Sequence, residues 1–268
     1  MGEEQTIKAA GHVLEAVFEP AARSDAPVLV LLHEGLGSAA LWGKFPAELA
    51  RASGAGVLAY SREGYGASSP VPLPRPLDYM RRHASEVLPQ LIAQIEGRRI
   101  FIIGHSDGAT IAALYAAGEP DPRVAGVALI APHFFVEEFA IAEIARTKEA
   151  YETTDLRAKL ARWHSHVDVA FRGWNESWLH PDFGRTLEMR RDLQNIGMPV
   201  LGMQGADDQY GTLAQIDALE EALRGSGAPF TRCILPGVRH SPHREAQDET
   251  IAALCRFIDH TGDEGKPS

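Results

Sequence analysis

The strongest constraint in the chain is a series of short, largely apolar runs set between stretches of helical periodicity. Val28–Leu32 (VLVLL), Gly56–Tyr60 (GVLAY), Arg99–Ile103, Val124–Ile130, Pro199–Met203 and Phe230–Leu235 all have strand length. Apolar runs that do not alternate with polar residues mark strands covered on both faces, as in parallel sheets. His12–Phe18 adds a strand ahead of them. Helical stretches are predicted over residues 41–52, 78–95, 108–117, 212–223 and 245–259. Strands and helices in this alternation predict an α/β fold with a mainly parallel central sheet flanked by helices.

The alternation stops at Pro132 and resumes at Pro199. No buried-strand run occurs from His133 to Ile196, and that segment reads as several helices. The predicted organisation is a core of residues 1–132 and 197–260, interrupted by a helical insertion, 133–196. Residues 261–268 (TGDEGKPS) offer nothing to bury and are expected to fray. A length of 268 residues alone leaves one domain and two equally open. The interrupted alternation favours one sheet carrying a cap.

Charge and hydropathy remove whole classes of function. The net charge is −10, with no basic run, so nucleic acid is not an expected partner. No apolar stretch reaches the roughly 18 residues of a membrane span. Met1-Gly2 through Thr6 formally fits a myristoylation pattern, but Glu3 and Glu4 follow and no basic cluster supports an anchor. Cys233 and Cys255 lie apart and form no C-x-x-C, which fits reduced thiols in a cytoplasmic protein.

Chemistry enters at Gly104-His105-Ser106-Asp107-Gly108, a G-x-S-x-G. The pattern alone is weak, but here it leaves an apolar strand and opens an Ala-rich helix. That is the strand–turn–helix in which a nucleophile is held at a strained tip. The helix N-terminus beside Ser106 favours developing negative charge. A serine nucleophile needs a base, and the base an orienting carboxylate. Gly205-Ala206-Asp207-Asp208 and Gly237-Val238-Arg239-His240 each follow a predicted strand. Loops after parallel strands share one sheet edge, so Ser, Asp and His can converge there.

In these pieces, together with His33-Glu34-Gly35-Leu36-Gly37-Ser38, the chain resembles the α/β-hydrolase superfamily over nearly its whole length. The resemblance implies a Ser106, Asp208, His240 triad: Asp208 rather than Asp207, because the family's acid usually follows the Gly by three residues, and His240 rather than His243. It also implies an oxyanion hole made by the main-chain N–H of Asp107 and that of Gly35 or Leu36. Glu34 stands where the family more often has Gly. A carboxylate aimed at the oxyanion would oppose catalysis, so Glu34 is expected to turn away and pair elsewhere. The loop Ser61–Gly66 resembles a structural loop of the family.

Two histidine clusters carry no expected metal. His164-Ser165-His166-Val167-Asp168 resembles the start of a metallo-hydrolase motif, yet the closing His is Val169. On a helix His164 and His166 would point about 200° apart. His240 and His243 lack further ligands at zinc-site spacing. No cofactor is expected.

Nine of the 20 aromatics fall between His133 and Phe183, too many for a linker. Phe134, Phe135, Trp163, Trp174 and Trp178 are the expected roof of an apolar substrate pocket. The expected activity is a carboxylesterase acting on small-molecule esters with an apolar or aromatic group. A C–C bond hydrolase, a thioesterase or a lactonase would use the same triad, and a ligand-binding receptor or scaffold the same fold. Dehalogenase and epoxide-hydrolase relatives place Asp where Ser106 stands. Self-association into a homo-oligomer is compatible with the sequence.

Overall fold

A computed structural model describes residues Gly2–Asp263. Eight strands form one sheet in the order β1-β2-β4-β3-β5-β6-β7-β8. They are β1 (Glu3–Ala9), β2 (His12–Glu19), β3 (Val28–Leu32), β4 (Gly56–Tyr60), β5 (Ile100–His105), β6 (Val124–Ile130), β7 (Val200–Gly205) and β8 (Phe230–Leu235). β1 and β2 are antiparallel to their neighbours; every pairing from β4 through β8 is parallel. β3, β5 and β6 occupy the middle, so the loops at their C-terminal ends meet on one edge.

Side-chain alternation explains why β3 is apolar throughout. Val28, Val30 and Leu32 enter one core, Leu29 and Leu31 the other. The second core is closed by α1 (Phe45–Ser53), through Phe45 and Leu49, and by the C-terminal helix. The first core is closed by α2 (Tyr79–Arg82), α3 (Leu88–Ile92) and α4 (Asp107–Ala117). α4 is apolar all round because it is buried behind the central strands.

Between β6 and β7 lie α5 (Glu138–Thr153), α6 (Leu156–Leu160), α7 (Val167–Trp178) and α8 (Phe183–Leu187). Ile144, Tyr151, Phe171, Trp174, Trp178 and Phe183 pack these helices onto the first core. α9 (Ala214–Ser226), α10 (Pro242–Glu245) and α11 (Gln247–Asp263) complete the chain.

Several expectations change. β1 was not expected, because EEQTIKA buries only Ile7 and Ala9; its register comes from a tight turn with positive φ at Ala10 and Gly11. The helix expected over 78–95 runs without a break from Tyr79 to Ile92, and what the sequence did not show is a wider π-type turn inside it, His83–Val87, next to Pro89, which has no N–H to donate. The expected fraying at 261 does not occur: α11 continues to Asp263, and Arg99 donates a hydrogen bond to the Thr261 carbonyl (3.0 Å). The rest of that tail, residues 264–268, lies outside the described residues. No helix among the described residues is long and apolar enough to cross a membrane.

Candidate active site

Ser106 sits between β5 and α4 with φ +54° and ψ −119°, a conformation that L-residues seldom adopt. Close packing demands the flanking glycines. A Cβ on Gly104 would strike the Gly108 carbonyl, and one on Gly108 would strike the Leu32 carbonyl. The turn is clamped by Ser106 N–H donating to Ile130 O on β6 (2.9 Å). The side chain thereby projects from the sheet edge into a cavity of about 160 Å³.

This turn between β5 and α4, set in an eight-stranded sheet, agrees with the sequence match. The Alpha/beta hydrolase family profile matches residues 29–253. The chain belongs to the alpha/beta hydrolase family. No curated protein matches it by sequence. Among solved structures it is similar to a membrane phospholipase A described as a bacterial virulence factor (21% identity, 97% of this chain and 86% of that one, TM-score 0.77). It is also similar to the enol-lactonase of Burkholderia xenovorans LB400 (19% identity, 95% and 100%, TM-score 0.69). A third is the meta-cleavage product hydrolase of Pseudomonas fluorescens IP01 (15% identity, 96% and 97%, TM-score 0.64). At these identities the likeness is one of fold.

In this alpha/beta hydrolase, His240 shares the cavity with Ser106. Its Nδ1 lies 2.9 and 2.8 Å from the two carboxylate oxygens of Asp208. A carboxylate only accepts, so Nδ1 of His240 carries a proton. Asp208 also accepts from Gln204 Nε2 (2.7 Å) and from Tyr210 N–H (2.7 Å). Burial works against the charged form of Asp208, but His240 and the Tyr210 N–H hold its carboxyl below the usual range. Asp207 is exposed beside it. His243 is buried outside the cavity, against Trp42 and His105, at ring-centroid distances of 4.7 Å each.

Gly35, Leu36 and Asp107 also line the cavity. Among the described residues, their main-chain N–H groups meet no acceptor. The Glu34 carbonyl turns the other way and accepts from His33 Nδ1 (2.7 Å), Arg62 Nη2 (2.9 Å) and Gly37 N–H (3.1 Å). The Glu34 carboxylate faces His105 Nδ1 at 3.6 Å and Arg244 at 3.8 Å. Burial opposes its charge, yet His105, His243 and Arg244 keep it well below the usual carboxylate range. His105 itself donates from Nε2 to the His240 carbonyl (2.8 Å), linking the residue before Ser106 to the His240 loop.

Of the aromatics expected above Ser106, Trp174 and Trp178 line the cavity. The other three stand elsewhere. Phe134 is wholly buried in the core beneath, with its main chain held by Gln215 and Met189. Phe135 lies under the Arg190 guanidinium, 4.8 Å from the ring centroid. Trp163, 44% exposed, lies in the turn after α6 and projects to the surface. Helical spacing could not separate these fates, because this segment folds as short helices joined by turns.

Sequence reasoning missed the roles of Tyr79, Arg62, His164 and His133 at the site. Trp178 donates to Asp107 Oδ1 (3.3 Å) and Tyr79 to Oδ2 (2.6 Å), so the side chain after Ser106 is tied to α7. Burial pushes the Asp107 carboxyl up against the opposing charge of Arg62. His164 lies in the turn before α7 and not in a helix. Both its nitrogens are used, by Gly66 N–H (3.0 Å) and by the Leu36 carbonyl (3.1 Å). His133 enters the cavity from the end of β6, the neighbour of the Ser106 strand. That position was the one available signal.

A larger groove of about 470 Å³ runs along β8 and α11. It holds no serine or carboxylate and is remote from Ser106.

Proposed function

We propose that the chain is a serine hydrolase of small carboxylic esters that carry an apolar or aromatic group. The observation that carries this reading is one shared cavity. It holds a strained Ser106, a His240 whose Nδ1 is engaged by Asp208, and three unpaired N–H groups.

Ser106 Oγ attacks the acyl carbon while His240 Nε2 takes its proton. Asp208 fixes the tautomer and stabilises the imidazolium that forms. The N–H of Asp107 and that of Gly35 or Leu36 hold the oxyanion. His240 then returns the proton to the leaving alcohol. Water, deprotonated by the same nitrogen, frees the acyl group and restores Ser106. No cofactor enters this scheme.

Size and wall chemistry bear on the substrate. A cavity of about 160 Å³ holds a group of roughly benzene size. Leu36, Ala140, Ile144, Trp174 and Trp178 give it apolar walls. Both features favour a short or aromatic acyl group over a long chain. The helical segment 133–196 acts as the cap that selects it, and a cytoplasmic setting goes with the two unbridged cysteines.

The test is turnover of p-nitrophenyl acetate, butyrate and benzoate with labelling by a fluorophosphonate. Wild type should hydrolyse these esters and label stoichiometrically at Ser106; Ser106→Ala should do neither and keep its circular dichroism spectrum. Turnover retained in Ser106→Ala overturns the reading.

A further inference from the structure

The ester-hydrolase scheme gives no task to the His133 side chain in the cavity wall. His133 follows β6, and Thr110 of α4 holds it at both main-chain groups: Thr110 Oγ1 donates to His133 O (2.7 Å) and accepts from His133 N–H (3.3 Å). The ring stands edge-on to Trp178, with centroids 5.2 Å apart, and Gly211 packs beside it. The residue is 4% exposed. Among the described residues, neither ring nitrogen meets a protein hydrogen-bond partner, and neither is among the fully enclosed polar atoms, so both stay open to a group in the cavity. A ligand oxygen in the cavity would supply the partner that the ring lacks.

The ring centroid lies 5.6 Å from that of His240. Whatever bonds His133 therefore sits within a few bonds of the carbonyl attacked by Ser106. Burial and the neighbouring His240 charge push His133 down to about 3, so the ring is a neutral donor and acceptor. Neutrality matters, because a charged His133 would oppose the imidazolium formed on His240.

The rest of the cavity narrows the class of group further. Among the described residues no Lys or Arg lines the cavity, so an anion would find no counter-charge on its walls. A cation would find Asp107 already engaged by Tyr79 and Trp178, with Arg62 at 3.9 Å.

We propose that His133 is a specificity-determining residue that hydrogen-bonds an uncharged oxygen, a hydroxyl or carbonyl, carried by the substrate beside its scissile ester. The preferred substrates are then hydroxy- or oxo-substituted esters over plain alkyl ones. This inference rests on the serine-hydrolase reading.

The experiment compares kcat/KM for p-nitrophenyl 3-hydroxybutyrate and p-nitrophenyl butyrate. His133→Phe keeps a flat ring against Trp178 and removes both nitrogens; His133→Gln keeps a donor and an acceptor. Wild type should favour the hydroxy ester. His133→Phe should lower the ratio of the two values at least about tenfold, and His133→Gln should retain part of it. A ratio equal in wild type and His133→Phe, with Ser106 labelled in both, overturns this inference alone. Absence of labelling and turnover in the wild type overturns the hydrolase reading and this inference with it.

Discussion

His164 donates its Nε2 proton to the main-chain carbonyl of Leu36 across 3.1 Å, while its Nδ1 accepts the N–H of Gly66 at 3.0 Å. The bond to Gly66 fixes the tautomer, because a main-chain N–H can only donate. One residue of the helical segment thus holds the loop that offers Gly35 and Leu36 to the cavity. Burial lowers the His164 pKa and keeps the ring in the neutral form that this pair of bonds requires. His164→Leu should lower kcat by about 10- to 100-fold with a smaller change in KM, as a displaced oxyanion donor would. His164→Gln, which can still reach Leu36, should recover part of the loss. Equal effects of Leu and Gln on kcat would argue against positioning through Leu36.

Asp208 and Asp207 are neighbours with opposite surroundings. Asp208→Asn should lower kcat by about 10³- to 10⁴-fold, because an amide cannot stabilise the imidazolium or enforce its tautomer. Asp207→Asn, at an exposed position, should stay within about threefold of wild type. Steady-state kinetics on one p-nitrophenyl ester decides the pair, and the reverse ranking would reassign the acid.

Strain at Ser106 should be measurable as stability. Ser106→Ala and Ser106→Gly both remove the hydroxyl, but only glycine adopts φ +54° and ψ −119° without steric cost. The glycine variant should be more stable than the alanine variant by about 1 kcal/mol in urea unfolding. An alanine variant as stable as the glycine one would mean that the turn stores no strain.

Glu63 should govern part of the acid stability. Its Oε2 accepts from His83 Nδ1 (2.9 Å), and the far side of that ring accepts the Tyr60 hydroxyl proton (2.7 Å). Burial raises the Glu63 pKa, but His83 and the Arg75 charge outweigh it and bring it to about 2. A depressed carboxylate stabilises the fold above its unfolded value, near 4.5, and that contribution fades as pH falls toward 2. Wild type should therefore exceed Glu63→Gln by at most about 3 kcal/mol at pH 7, with the gap closing between pH 4.5 and 2. A gap independent of pH would show that the loss is one of packing.

Much of this was legible from local pattern. Five of the six apolar runs are strands covered on both faces, while the sixth, β8, is an edge strand with no buried residue; G-x-S-x-G after one of them permits few backbone paths. β1 escaped notice because an edge strand needs only one buried face, and EEQTIKA supplies two buried residues for it. The aromatic-rich segment was recognised as a packed unit, but Phe134, Trp163 and Trp174 carry the same local signal and end in the core, in solvent and in the cavity.

The sequence by itself determined the parallel sheet, the strained serine and the order of Ser, Asp and His. These follow from backbone sterics and burial within a few residues. The resemblance already pointed to Asp208 over Asp207, but only the tertiary structure brought Asp208 onto His240 and set His133 in the cavity with Ser106. It alone placed His164 on Leu36, 128 residues away, and pressed Trp174 against Gly35. Such contacts join segments whose spacing along the chain carries no periodicity. They exist only once the helical segment has closed over the edge of the sheet.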